Sequence, residues 1–157
     1  MKPTLYLETT VVSDLVARPS DNLVVAAHQQ VTHQWWTKRL PDFQVVVSQF
    51  VLDEAGDGEP VMARKRMAAL KAFERLKVSP EVLRLGRALF QTKMFPQESA
   101  RDASHISVAA VYGIHFLLTW NFKHLANARL VDRVRQVCRE EGFSCPVICT
   151  PEELLEV

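Results

Sequence analysis

The sequence predicts an α/β protein, a three-layer α/β/α sandwich around a central, mostly parallel sheet. Three observations carry this. Short apolar runs alternate with longer segments of helical periodicity along the whole chain. The short runs are apolar throughout rather than on alternate positions, as in strands covered on both faces. Several of them stop at an acid or an amide, which places polar groups along one edge of the sheet.

Residues 4–7 read as a short buried strand, followed by a helix bearing Val11, Val12, Leu15 and Val16, with Thr9 or Thr10 as its cap. Arg18-Pro19-Ser20-Asp21-Asn22 is a break with turn chemistry. A long helix is expected over 23–40, with Val24, Ala27, Val31, Trp35 and Leu40 near helical spacing. Residues 43–47 are β-branched and apolar, a second strand, and Ser48 is placed to cap a short helix bearing Val51, Leu52 and Ala55. Gly56-Asp57-Gly58-Glu59-Pro60 is the strongest turn signal, and Pro60 suits the first turn of a helix expected over 61–76.

Lys77-Val78 reads as a brief third strand, and Pro80 starts a helix to about Lys93. Ser99 and Asp102 fit a capping box, behind which Ile106, Val108, Ala109, Ala110 and Val111 form a helix that Gly113 ends. Residues 114–120 form a buried strand and residues 126–141 an amphipathic helix stopped by Gly142. Residues 146–149 are a last strand, and Thr150-Pro151-Glu152-Glu153 opens a C-terminal helix. With no linker, repeat or low-complexity tract, residues 1–157 are expected to form a single domain.

Charge and composition narrow the function classes. The net charge is +1, so no global field marks a nucleic-acid binder, although a local basic patch is compatible with it. No apolar run approaches the ~20 residues of a membrane span. The start of the chain passes from Lys2 directly into a strand pattern, so no secretory leader is expected. Cys138, Cys145 and Cys149 lack paired-ligand spacing and are expected to be reduced, consistent with a cytoplasmic protein.

The acids carry the chemistry. Glu8 ends the first strand, Glu54 lies in the helix after the second, Asp102 opens a helix, and Asn121 closes the fourth strand. Open parallel sheets build their sites in the crevice at the carboxyl ends of the strands. Oxygen ligands converging there suit a hard cation such as Mg2+. Each residue also has a plainer reading: Asp102 as the acid of a capping box, Glu54 as a solvated charge beside Asp53, Glu8 as a complement to a helix dipole, Asn121 as a turn residue. The ordered set favours a site. His105 lies one turn from Asp102 and is read as a histidine packed against the sheet.

Tyr6-Leu7-Glu8-Thr9-Thr10-Val11-Val12-Ser13, Asp102-Ala103-Ser104-His105-Ile106-Ser107-Val108 and Leu117-Leu118-Thr119-Trp120-Asn121-Phe122-Lys123-His124-Leu125 together resemble the PIN-domain family. More narrowly, the chain resembles the VapC-like toxin ribonucleases of type II toxin–antitoxin systems. The resemblance implies a PIN-like fold and an Mg2+- or Mn2+-dependent endoribonuclease that hydrolyses RNA phosphodiester bonds. It implies Glu8, Glu54, Asp102 and Asn121 as the catalytic set, the first three as metal ligands, and Thr119 as a supporting hydroxyl. It further implies an antitoxin protein as partner and a homodimer.

Two positions depart from the family pattern: Glu8 stands where an Asp is usual, and Asn121 where a fourth Asp is common. A second reading therefore stays open, a non-catalytic PIN-like domain that binds RNA or protein through a degenerate metal site. Arg64, Lys65 and Arg66, with Lys71, Arg75, Lys77, Arg84 and Arg87, could line an RNA path or form a solvated helix face. Of Trp35 and Trp36, one is expected in the core. Trp120 is read as core, with base stacking as the sharper alternative. A Cys or Ser nucleophile lacks any elbow motif.

Overall fold

The computed structural model describes residues 1–155. Five strands, β1 (Thr4–Leu7), β2 (Gln44–Ser48), β3 (Glu74–Leu76), β4 (Phe116–Leu118) and β5 (Val147–Cys149), form one sheet in the order β3-β2-β1-β4-β5. Every pairing is parallel, with Tyr6 opposite Val46 on one side and Leu117 on the other. β1 is central, and Leu5, Tyr6 and Leu7 are all fully buried, as an all-apolar run in a doubly covered sheet requires.

The helices are α1 (Thr9–Val16), α2 (Leu23–Lys38), α3 (Gln49–Ala55), α4 (Pro60–Leu70), α5 (Pro80–Gln91), α6 (Ala100–Val111) and α7 (Ala128–Glu140). The chain walks outward from β1 through β2 to β3, then returns to the far side of β1 for β4 and β5. Right-handed crossovers then put α1–α4 on one face and α5–α7 on the other. The packing agrees: α1 touches α2, α3 and α4, while α5 packs on α6 and α7. The reversal of direction at β1 opens a crevice at the carboxyl ends of β1, β2 and β4.

Several elements differ from their sequence expectation. Glu8, not Thr9 or Thr10, caps α1, accepting from the Thr10 N–H. The helix expected over 61–76 stops at Leu70, and β3 is Glu74–Leu76 instead of Lys77-Val78. Leu76 carries the helical apolar rhythm onward, but as an edge strand it buries only that residue. The helix expected over 23–40 ends at Lys38, and a 3-10 turn follows over Leu40–Asp42. The strand expected over 114–120 is trimmed to Phe116–Leu118.

Ser99 sits at the start of α6 but makes no capping bond, so the capping box expected with Asp102 is absent. The box at Thr150 does form: Glu153 accepts from the Thr150 N–H at 2.7 Å, and Thr150 accepts from the Glu153 N–H at 3.4 Å. Turns, not a helix, run through residues 151–155. Gly113 and Gly142 carry positive φ where α6 and α7 end. Trp35 is the core tryptophan, and Trp36 packs on it from the edge.

Candidate active site

Glu8 leaves the end of β1 directly under the first turn of α1, and 2% of it is exposed. Its Oε1 accepts from the Thr10 and Thr119 hydroxyls, each at 2.5 Å. Both threonines bear a second load. Thr10 Oγ1 accepts from the Trp120 N–H at 2.9 Å, and Thr119 Oγ1 from the Asn121 N–H at 2.9 Å. The carboxylate at the end of β1 is thus locked to the exit of β4 through two hydroxyls. Thr119 stands where the resemblance places a supporting hydroxyl.

Glu54 reaches in from α3. Its Oε1 accepts from the Thr9 hydroxyl at 2.8 Å and from His105 Nε2 at 2.5 Å. His105, on α6, is fully buried. Its Nδ1 lies 2.7 Å from Tyr6 Oη, which lies 2.7 Å from Ser48 Oγ. A relay of side chains from β2, β1, α6 and α3 therefore ends on Glu54.

Burial works against a charged His105, but the hydrogen bond to Glu54 and the charges of Glu8, Glu54 and Asp102 overcome it and raise the ring's pKa. For Glu54, burial pushes up, and the His105 bond and charge with the Thr9 hydroxyl win, lowering it. The imidazolium–carboxylate state is favoured. In that state Tyr6 accepts from Nδ1–H and donates to Ser48.

Asp102 sits in the first turn of α6 and is only half-buried. Its Oδ1 accepts from Asn121 Nδ2 at 3.2 Å, and Asn121 Oδ1 accepts from the His124 N–H. Burial raises the Asp102 pKa. His105 and His124 pull it down, and Glu8 and Glu54 push it up, with a net rise. Hydrogen bonds tie Asp102 to Glu8 through Asn121 and Thr119.

Among the described residues no lysine or arginine pairs with Glu8 or Asp102, and Arg101 spends its charge on Asp57 at 3.5 Å. Glu8, Glu54 and His105 offer ligand atoms that all lie within 4.8 Å of one another. The donor set fits a divalent cation: the Glu8 and Glu54 carboxylates lie together with the His105 ring nitrogen, and Asp102 lies outside that group.

Glu8, Glu54, Asp102, Asn121 and Thr119 are all brought to the crevice. Sequence reasoning set His105 aside, although its one-turn spacing from Asp102 was the available signal. It gave no role to Tyr6, Thr9, Thr10 or Ser48 in the site. Arg64 and Lys65 lie exposed on α4 and bond to none of the acids among the described residues. Arg66 is committed to backbone, donating to Ala55 O at 2.8 Å and Asp57 O at 2.5 Å.

No family model and no curated protein matches the sequence. Solved structures match the fold. A chain of VapBC2 from Rickettsia felis, bound to a DNA fragment from its promoter, superposes with a TM-score of 0.60 at 13% identity, over 94% of this chain and 98% of that one. A toxin–antitoxin complex from Klebsiella pneumoniae gives 0.57 at 19% identity, over 80% and 92%. The sarcin-ricin loop cleaving toxin VapC20 of Mycobacterium tuberculosis gives 0.51 at 16% identity, over 73% and 87%. The architecture is that of these PIN-like α/β/α proteins.

Proposed function

We propose that residues 1–157 form a single PIN-like domain of the VapC-like kind, a cytoplasmic Mg2+- or Mn2+-dependent endoribonuclease restrained by an antitoxin protein. The observation that carries the reading is the meeting of Glu8, Glu54 and Asp102 at the switch-point crevice, with no lysine or arginine paired to Glu8 or Asp102 among the described residues and His105 bonded to Glu54. The toxin–antitoxin neighbours support the partner. The RNA-cleaving neighbour supports the substrate class. A homodimer follows from the resemblance alone. No helix of the described residues is long and apolar enough to cross a membrane.

Glu8, Glu54 and Asp102 would hold the metal. When bound it supplies charge relief at the phosphate and an acidified water. The chain's own residues do the positioning. Thr10 and Thr119 fix Glu8, so its carboxylate keeps one orientation. His105 fixes Glu54 through Nε2. Asp102 Oδ1 is steadied by Asn121, which leaves its Oδ2, with no protein donor among the described residues, free to reach a metal or a water.

One observation favours the second reading, a non-catalytic PIN-like domain. Glu8 and Glu54 already have hydrogen-bond donors without a metal, and Asn121 adds no charge. Cleavage of a mixed pool of structured RNA with Mn2+, comparing wild type with Asp102→Asn, decides between them. A loss on the order of 10³ in rate is expected from removing a metal-binding carboxylate. Equal cleavage by both sinks the site. No cleavage by either supports the binding domain.

A further inference from the structure

On either side of Asn121, with His28 of α2, the chain builds a three-ring cluster. His28 of α2 stacks on Trp120, ring centroids 4.1 Å apart and planes 14° from parallel. Phe122 leans on both, 5.6 Å from His28 and 6.0 Å from Trp120. The cluster is held rigidly. Trp120 is 7% exposed, and its indole N–H donates to Thr32 at 2.7 Å, while Thr32 donates to the His28 carbonyl at 2.6 Å. Phe122, by contrast, is 50% exposed. An aromatic ring half in water on a fixed base is not explained by core packing.

Its position relative to the acids is set by short links. The Trp120 N–H bonds to Thr10, which bonds to Glu8, and the neighbouring Asn121 bonds to Asp102. The next residue, Lys123, is exposed. An aromatic face, a cation beside it and a carboxylate crevice one step away match a single-stranded nucleic acid laid with its phosphate at the acids and its flanking base on the ring. Stacking suits a flat base of any sequence, and Lys123 suits the next phosphate.

We propose that Phe122, backed by His28 and Trp120, is a base-stacking subsite that positions a single-stranded ribonucleotide beside the acidic crevice. The inference rests on the ribonuclease reading above and adds the strand state and a positioning residue. Phe122 touches the base and not the reacting atoms, so it acts on binding.

The test uses a short unstructured RNA carrying 2-aminopurine at successive positions, with Ca2+ replacing Mn2+ to hold back turnover. Wild type, Phe122→Ala, Phe122→Tyr and His28→Ala are compared by fluorescence quenching and anisotropy. Expected are quenching at one position by wild type, retention by Phe122→Tyr, and binding weakened about tenfold with quenching lost in Phe122→Ala, the loss of one stacked base. His28→Ala falls between, because it loosens the base of the ring.

Equal affinity and quenching in Phe122→Ala overturns the subsite and leaves the Asp102-dependent nuclease standing. No RNA binding by wild type, together with no Asp102-dependent cleavage, overturns the ribonuclease reading and the subsite with it. Loss of a bound partner protein in Phe122→Ala, with RNA binding intact, assigns the ring to a protein interface and also overturns the proposal. The exposed ring makes the Ala variant's fold secure, and circular dichroism of each variant confirms it.

Discussion

The two halves of the crevice are built to different standards. The inner half, Tyr6, Glu8, Ser48, His105 and Thr119 with the half-buried Glu54, is bonded by hydrogen bonds between side chains of several elements. The outer half, Asp102 and Asn121, is half-open and joined by a single 3.2 Å amide contact. Buried polar groups in a fully satisfied network rigidify a site, and removing one member strands the others. A half-open acid can change its proton and its partners without that cost. The inner half therefore fixes geometry, and the outer half is where proton traffic takes place.

The largest break in that comparison is His105→Ala. It opens a cavity, leaves Glu54 without its cationic partner and leaves Tyr6 short of a bond. Stability should fall by about 3–5 kcal/mol, the cost of breaking a buried charge pair. Asp102→Asn should change stability by less than about 1 kcal/mol, since it removes a desolvated charge and keeps the contact to Asn121. Urea denaturation in EDTA measures both. Equal losses would erase the distinction between the halves.

A smaller effect sharpens it. Glu8→Asp with Asn121→Asp shortens the inner acid and adds a charge to the outer half. Without metal the double variant should be less stable than wild type, because the carboxylate introduced at position 121 would face Asp102. Titrating Mn2+ against the melting temperature should then show affinity rising tenfold or more, a gain of roughly 1.4 kcal/mol at saturating metal. That result marks the native site as weakened for metal. An unchanged affinity would mean that Glu8 and Asn121 hold a cation as well as the family's usual residues.

The inner half was only partly legible in the sequence, for a physical reason. Strand ends are local: residues 5–7 and 116–118 are apolar runs that stop at Glu8 and at Thr119, so the acids' edge could be read directly. The network is not local. Tyr6 meets His105 99 positions away, and Thr119 meets Glu8 at a separation of 111. Nothing in the spacing of a histidine on α6 tells that its ring ends on a carboxylate of α3.

The same limit explains the Asp102 ambiguity. Its local pattern with Ser99 favoured a cap, and only the approach of the β4 loop turns its side chain to Asn121. β3, expected at Lys77-Val78, was misplaced by a different route. Helical rhythm continued past Leu70, and an edge strand that buries only Leu76 leaves almost no apolar signal against it.

The smallest effect is in pH, and its sign differs between the halves. Glu54 has a lowered pKa, so its contribution is present above its unfolded value of 4.5 and is lost as pH falls through the folded value. His105 has a raised pKa, so its contribution is complete below 6.5 and is lost as pH rises through the folded value. Together they give metal-free protein a stability plateau between pH 4.5 and 6.5. Asp102 acts oppositely: its raised pKa favours the protonated folded form, so it costs stability as pH climbs above 3.8. Urea midpoints across this range in EDTA should show the plateau in Asp102→Asn, the same plateau with a downward slope at its acid end in wild type, and its loss in His105→Ala. A plateau that survives in His105→Ala would mean that the imidazolium–carboxylate pair does not hold the inner half together.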